Sequence, residues 1–571
     1  MASSTQARAT AHSQHSLVSE TSIDPLRDQQ IVATPDSLHD EPEKLKKLPS
    51  SASEDLYKPK TLKFWLVLLS TFTSMFLVAL DRTIISTAIP RITDDFKTQG
   101  DIGWYGSAYM LTTAAFQLLF GRIYSFYDLK WTFLISIVLF EVGSAICGAA
   151  PSSTVFIVGR AIAGLGSAGI MTGSIVTIIP LVPLHKRPMF QGMFGMVFGI
   201  ASVAGPLVGG AFTEHATWRW CFYMNLPIGG LAMVFLYFFE FPKTKSMDLS
   251  PKAKLIRLDP LGTIIFIPTI VSLLLALQWG GSTFPWSNWR IILLFVCFAI
   301  GAVAFGIVQY KMPESASLPW HLIKQRTMAL ATCFITFLAG GMMILVYYIP
   351  LWFQTTHGVE PIKSGIYTIP LVLSLVVASI LSGIITQKSG YYVPSMIMGP
   401  CVLLIAEGLL TTFKPTTGSP HWIGFQFLAG FGIGLGLQTA NLAVQATVDK
   451  KDVATGMAIC FFAQQLGGAI FVAVGQTILS TSLVSRLSKI PGLDAKTIIN
   501  TGATQLHNTV PAKYLPVVID AYNYAVTRIF FASLGITAIQ LLSSFGVEWK
   551  SIKKPSESKA TDAEEQKDNK D

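Results

Sequence analysis

The sequence predicts an all-α membrane protein built as two six-helix bundles plus two inserted linker helices, fourteen transmembrane helices in all. Three observations carry this. The 571 residues are 51% hydrophobic and only 13% charged, with a mean hydropathy of +0.51, whereas a soluble domain carries about 25% charged residues. Fourteen apolar runs reach spanning length, near 64–89, 104–124, 131–150, 154–178, 190–212, 221–240, 261–278, 290–310, 327–350, 364–386, 393–411, 421–446, 455–481 and 524–544. The chain also repeats itself. Gly121-Arg122-Ile123 closes the second run as Gly383-Ile384-Ile385 closes the tenth, and Arg160-Ala161-Ile162-Ala163-Gly164-Leu165-Gly166 in the fourth answers to Gln426-Phe427-Leu428-Ala429-Gly430-Phe431-Gly432 in the twelfth. Matching elements at matching places mark two halves, with the seventh and eighth runs inserted between them.

These runs divide the chain. Residues 1–60 read as a disordered cytoplasmic tail without a signal peptide, and 61–241 as the first bundle. Residues 242–326 form the linker, 327–545 the second bundle with an outer loop at 482–523, and 546–571 a cytoplasmic tail. The net charge of +9 comes from Lys and Arg in loops beside the spans, so it points to membrane orientation and not to nucleic acid. With the N-terminus inside, fifteen basic residues fall on inner loops and six on short outer loops, which puts both tails in the cytoplasm. The six cysteines show no metal or disulfide spacing and read as small buried hydrophobes. Nucleotide-binding and H-E-x-x-H motifs are absent, so ATP-driven pumping and metalloprotease chemistry have no support.

The opening run, Phe64 to Pro90, carries no charge through Leu80 and then meets Asp81 and Arg82. At about 1.5 Å per residue it measures about 39 Å, so Asp81 falls inside a membrane helix. A carboxylate there costs about 2.5–3.5 kcal/mol on insertion scales, and it needs a partner or a cavity. Asp81 either pairs locally near the helix end or serves transport. Arg160 enters its span from the opposite side and reaches a similar depth. It either pairs with Asp81 or snorkels to the outer interface.

Other intramembrane polar groups are Glu141 and Glu407, each either a second proton site or a structural carboxyl. Gln438, Asn441 and Gln445 share one helix face, with Gln464 and Gln465 on the next run. They suit a water-filled substrate cavity or interhelical hydrogen bonds. Tyr347 and Tyr348 could contact a flat apolar substrate, while Trp352 fits an interfacial aromatic belt, as does Trp218-Arg219-Trp220. In the fifth run, glycines from Gly192 to Gly210 around Pro206 fit close helix packing or a hinge.

Over roughly residues 60–545 the chain resembles the major facilitator superfamily, in its fourteen-helix drug:proton antiporter branch, and most of all the fungal members that export toxins and drugs. Four motifs carry the resemblance. Leu80-Asp81-Arg82-Thr83-Ile84 through Pro90 resembles the first-helix signature, which implies a coupling role for Asp81. Gly159-Arg160 with Gly164 and Gly166 resembles the motif whose arginine is linked to proton transfer. Gly205-Pro206-Leu207-Val208-Gly209-Gly210 resembles the exporter motif. After the second run the superfamily pattern G-x-x-x-D-x-x-G-R-[KR] keeps only Gly121 and Lys130. Ser125 stands for its acid and Asp128 for its second glycine, so either Asp128 supplies a shifted charge or the turn is simply hydrophilic.

The resemblance implies a transporter and not an enzyme, with no cofactor. It implies proton-driven efflux of a hydrophobic or amphiphilic small molecule, such as a toxin, secondary metabolite or drug, by alternating access. The expected partners are that molecule, protons and the lipid bilayer, in the plasma membrane or the vacuolar membrane. Two rival readings are a siderophore-type carrier and a transporter-like nutrient sensor signalling through its tails.

Overall fold

A computed structural model describes residues 61–98, 101–239, 250–281, 283–488, 490, 506 and 510–553. The expected tail 1–60, most of the loop 482–523 and residues 554–571 lie outside them. The crossing helices are α1 (Leu62–Phe96), α2 (Ile102–Phe126), α3 (Leu129–Ala149), α4 (Ser153–Leu181), α5 (Arg187–His215), α6 (Asn225–Phe238), α7 (Pro260–Trp279) and α8 (Trp289–Lys311). They continue with α9 (Arg326–His357), α10 (Ile369–Ser389), α11 (Val393–Leu410), α12 (Ser419–Gly436, resuming as Thr439–Thr447), α13 (Val453–Leu487) and α14 (Leu515–Phe545). Among the described residues thirteen helices are long and apolar enough to cross a membrane. The fourteenth is α2, whose 25 residues include Gln117, Arg122 and several hydroxyls. At about 1.5 Å per residue it is long enough to span, and its polar groups turn inward. Gln117 donates to Thr172 Oγ1 at 2.6 Å, and Thr113 donates to Gly164 O at 3.0 Å.

Local chemistry sets several helix starts. Asp128 accepts from Trp131 N at 3.1 Å to cap α3, and Asn288 caps α8 through Arg290 N. Asp259 caps α7 through Gly262 N at 2.8 Å, and also accepts from Gln309 Nε2 and Ser317 N. One carboxylate therefore ties the inner ends of α7 and α8 together. Gly390 ends α10 at φ 80°, a left-handed turn that favours glycine. The chain after α14 returns to this turn, where Ile552 N donates to Gly390 O at 2.9 Å.

The sequence repeat is also a packing repeat. A side chain on Gly164 would strike Tyr109 and Thr112 of α2, and one on Gly166 would strike Phe140 of α3. In the second half, Gly430 meets Leu371 and Ser374 of α10, and Gly432 meets Leu403 of α11. α4 and α12 thus wedge between corresponding neighbours, with backbones close enough that only glycine fits.

The halves meet at the end where α1 begins, the cytoplasmic end on the Lys/Arg bias. There Gly121 abuts Ala454 and Ala458 of α13, and Gly383 abuts Pro188 and Met189 of α5. Ser379 Oγ donates to Gly192 O at 3.2 Å across the same seam. At the other end, Gly106 of α2 and Gly210 of α5 face open space. The halves are therefore in close contact on the inner side.

Several expectations are corrected. Trp352 is not part of an interfacial belt: it is fully buried, and its Nε1 donates to Asn523 Oδ1 at 2.8 Å. Trp218 is likewise buried, against Phe96, Phe156 and Phe222, while Trp220 is exposed as an anchor requires. Cys147, Cys221 and Cys460 are buried, but Cys297 and Cys401 are exposed, because their spans present those faces outward.

Gly205 and Gly210 test the packing account. Gly205→Ala pushes a methyl into Thr83 of α1 and is expected to cost about 1–3 kcal/mol. Gly210→Ala meets no atom and leaves stability unchanged. Thermal unfolding of the two purified variants in detergent makes the comparison.

Candidate functional site

α1 and α4 run side by side, and their two charges meet at mid-bundle. Arg160 Nη1 lies 2.5 Å from Asp81 Oδ2, with both side chains at most 1% exposed. The arginine is held further by its Nε, which donates to Tyr105 O at 2.9 Å. Its guanidinium also lies 4.5 Å from the centre of the Tyr109 ring. The second Asp81 oxygen has no partner among the described residues. Arg160 does not snorkel. Its planar fork is spent on the carboxylate and the carbonyl, which is how a buried guanidinium lowers its desolvation cost.

Arg82 points elsewhere. Its Nη1 donates to Gln465 Oε1 at 3.2 Å, on α13 of the other half, and its Nη2 lies 3.4 Å from Met171 Sδ. Tyr109 therefore sits between two guanidinium groups, with Arg82 5.7 Å from its ring centre. Sequence reasoning did not single out Arg82 or Tyr109. The available signal was a second intramembrane charge beside Asp81.

Glu141 of α3 is buried, and neither carboxyl oxygen has a partner among the described residues. It faces Gly229 of α6, where a side chain would strike it. Glu407 of α11 is fully buried in the other half, and its Oε1 accepts from Ser533 Oγ at 2.6 Å. The structure does not join Glu407 to Asp81.

The amides separate. Asn441 Nδ2 donates to Gln438 Oε1 at 3.1 Å beside the break in α12. Gln445 is buried and accepts from Arg187 Nη1 at 3.5 Å across the inner seam. Gln464 and Gln465 are half-buried on α13, and only Gln465 reaches the first half. Tyr348 packs on Gly475 and donates to Val472 O at 3.1 Å, whereas Tyr347 is 53% exposed.

The motif glycines line seams. Gly205 and Gly209 admit Thr83, Ile84 and Thr87 of α1, with Pro206 between them, and Thr83 Oγ1 donates to Ala201 O at 3.1 Å. After α2, Asp128 is a helix cap and Ser125 Oγ lies 3.3 Å from Thr455 Oγ1 of α13. Lys130 donates to Tyr237 O at 2.5 Å. Arg122, marked in the sequence only as part of the repeat and the inner basic set, donates to Arg257 O and Glu314 O, both at 3.0 Å. It holds the inner ends of the inserted helices to the first half.

Two helical halves meeting at one end, with an ion pair buried inside the first of them, fit the architecture of a membrane carrier. The Major Facilitator Superfamily matches residues 71–472, and the chain belongs to that family. It is 49% identical over 495 residues to "MFS-type efflux pump MFS1" of Trichophyton rubrum, covering 86% of this chain and 92% of that protein. It is 47% identical over 496 residues to "Efflux pump aflT" of Aspergillus parasiticus, covering 86% and 96%. Against the "Rubrofusarin-specific efflux pump aurT" of Gibberella zeae it is 46% identical over 497 residues, covering 87% and 91%. Among solved structures, the proton:xylose symporter XylE superposes with a TM-score of 0.55 at 13% identity, covering 87% of this chain and 98% of that one. That likeness is one of fold. The relatives and the fold are those of transporters and not of enzymes.

The pair predicts a specific stability pattern. Asp81→Asn leaves Arg160 buried without its counter-charge and is expected to destabilise by about 3–5 kcal/mol. Adding Arg160→Gln removes the orphaned charge and recovers most of that loss. Thermal unfolding of both variants in detergent reads this out, and equal melting points would contradict the pairing.

Proposed function

We propose that the chain is a proton-coupled exporter of amphiphilic small molecules, such as secondary metabolites, toxins or drugs, working by alternating access. The observation that carries the reading is the Asp81–Arg160 pair, two charges sealed from water inside one half. Protonation of Asp81 breaks the pair and frees Arg160, so proton uptake changes the balance of charge inside the first half. Glu141 supports the same reading. A carboxylate buried without donors is costly, and a proton of its own removes that cost.

The seam suits the required motion. It is made of glycines and single hydrogen bonds, worth about 0.5–1.5 kcal/mol each between neutral groups and about 1.5–3 kcal/mol where Arg82 and Arg187 meet glutamines. The driving force is adequate: one charge crossing 100 mV supplies about 2.3 kcal/mol, a gradient of about 40-fold. The efflux relatives support the direction and the class of cargo. This role places the chain in the plasma membrane, with the vacuolar membrane as the alternative.

Cells lacking other pumps provide the test. With this chain expressed, a panel of fungal toxins should accumulate less, and a protonophore should abolish the difference. Asp81→Asn is expected to lose uphill export at least tenfold while still allowing downhill exchange. Unchanged uphill export by Asp81→Asn would sink the coupling scheme.

A further inference from the structure

Arg82 is a half-buried cation whose charge the described residues do not balance. Four ion pairs occur among them, and none includes Arg82. Asp81, its neighbour in the chain, is taken by Arg160. The contacts Arg82 makes are weak for a guanidinium, one amide oxygen at 3.2 Å and one thioether at 3.4 Å, and its Nε has no partner. The groups facing it are Met171 of α4, Tyr109 of α2 and Gln465 of α13, so it sits where the two halves meet. Tyr109 is neutral, and Arg160 adds a second positive charge across the same ring. A lone charge in a membrane interior needs an opposite charge or water. Arginine presents several donors in a plane, a shape that matches an oxyanion bidentately.

We propose that Arg82 is the recognition residue for an anionic group on the cargo, so that the preferred substrates are aromatic or aliphatic amphiphiles carrying one carboxylate or comparable oxyanion. The inference rests on the exporter reading and narrows its substrate class. The oxyanion takes the guanidinium edge that Gln465 and Met171 hold in this structure. Displacing Gln465 also removes one contact between the halves, so binding an anion loosens the closed seam.

The test is equilibrium binding to the purified full-length protein in detergent, with 2-naphthoate and its neutral isostere 2-naphthamide as probes. No proton gradient is present, so a failure of proton coupling leaves this measurement intact. The native chain is expected to favour the carboxylate at least about tenfold, the worth of one charge-assisted contact. Arg82→Gln brings that ratio to about one, and Arg82→Lys, which keeps the charge without the fork, retains part of it. Gln465→Leu removes the competing acceptor and raises the ratio, a readout that does not depend on Arg82→Gln folding. A native ratio near one, a preference surviving in Arg82→Gln, or a ratio that falls in Gln465→Leu overturns the assignment.

Discussion

Removing a charge from water inside a bilayer is so costly that its partner decides where the surrounding helices can stand. Asp81 and Arg160 are each nearly fully buried, and neither is tolerable there alone. Their contact fixes α1 against α4. The same arginine then draws in the Tyr105 carbonyl and the Tyr109 ring, both from α2. Three helices of the first half are thereby locked to one another through a single guanidinium. The lock lies wholly within that half, so it does not oppose a movement of one half against the other.

The contacts that do cross between halves are of another kind. Gly121 on α13, Gly192 and Gly195 on α10, and Gly383 on α5 let backbones approach. The polar links there are single hydrogen bonds between neutral groups or, for Arg82 and Arg187, between an arginine and a glutamine. α5 uses both kinds of neighbour along its length. Its inner glycines lie on α10 of the opposite half, and Gly205 and Gly209 lie on α1 of its own half. A rotation between halves separates the first set and leaves the second intact. Pro206 sits within the second set, where the lost backbone hydrogen bond lets α5 bend without disturbing α1.

Much of this was legible because hydropathy records the membrane directly. The apolar runs fall on the helices, and the shared depth of Asp81 and Arg160 follows from counting residues along two oppositely directed spans. Helix ends were less legible. α1 continues past Pro90 to Phe96, taking in Arg91, Asp94 and Asp95, because a helix need not stop where the hydrocarbon does. Asp95 then pairs with Arg219 at the outer end, a contact 124 residues apart that no local pattern marks. Arg82 was hidden for a related reason. Adjacent helical residues point about 100° apart, so the charge next to Asp81 serves a different surface, and its partner Gln465 lies 383 residues away. Trp352 misled because an aromatic near a helix end looks alike whether it faces headgroups or the protein core.

The repeat holds in packing but not in charge. Gly164 and Gly166 occupy in α4 the positions that Gly430 and Gly432 occupy in α12, so Arg160 and Gln426 are structural counterparts. Gln426 is fully buried like Arg160, and neither of its amide atoms has a partner among the described residues. Replacing the guanidinium by an amide at that point removes the need for an acid on α9, and α9 carries none. At this level the first half holds a buried ion pair and the second an uncharged amide, and the second half's own buried acid, Glu407, stands on α11 against Ser533. The two bundles thus share one packing frame and fill it differently, one with an ion pair and the other with a neutral amide.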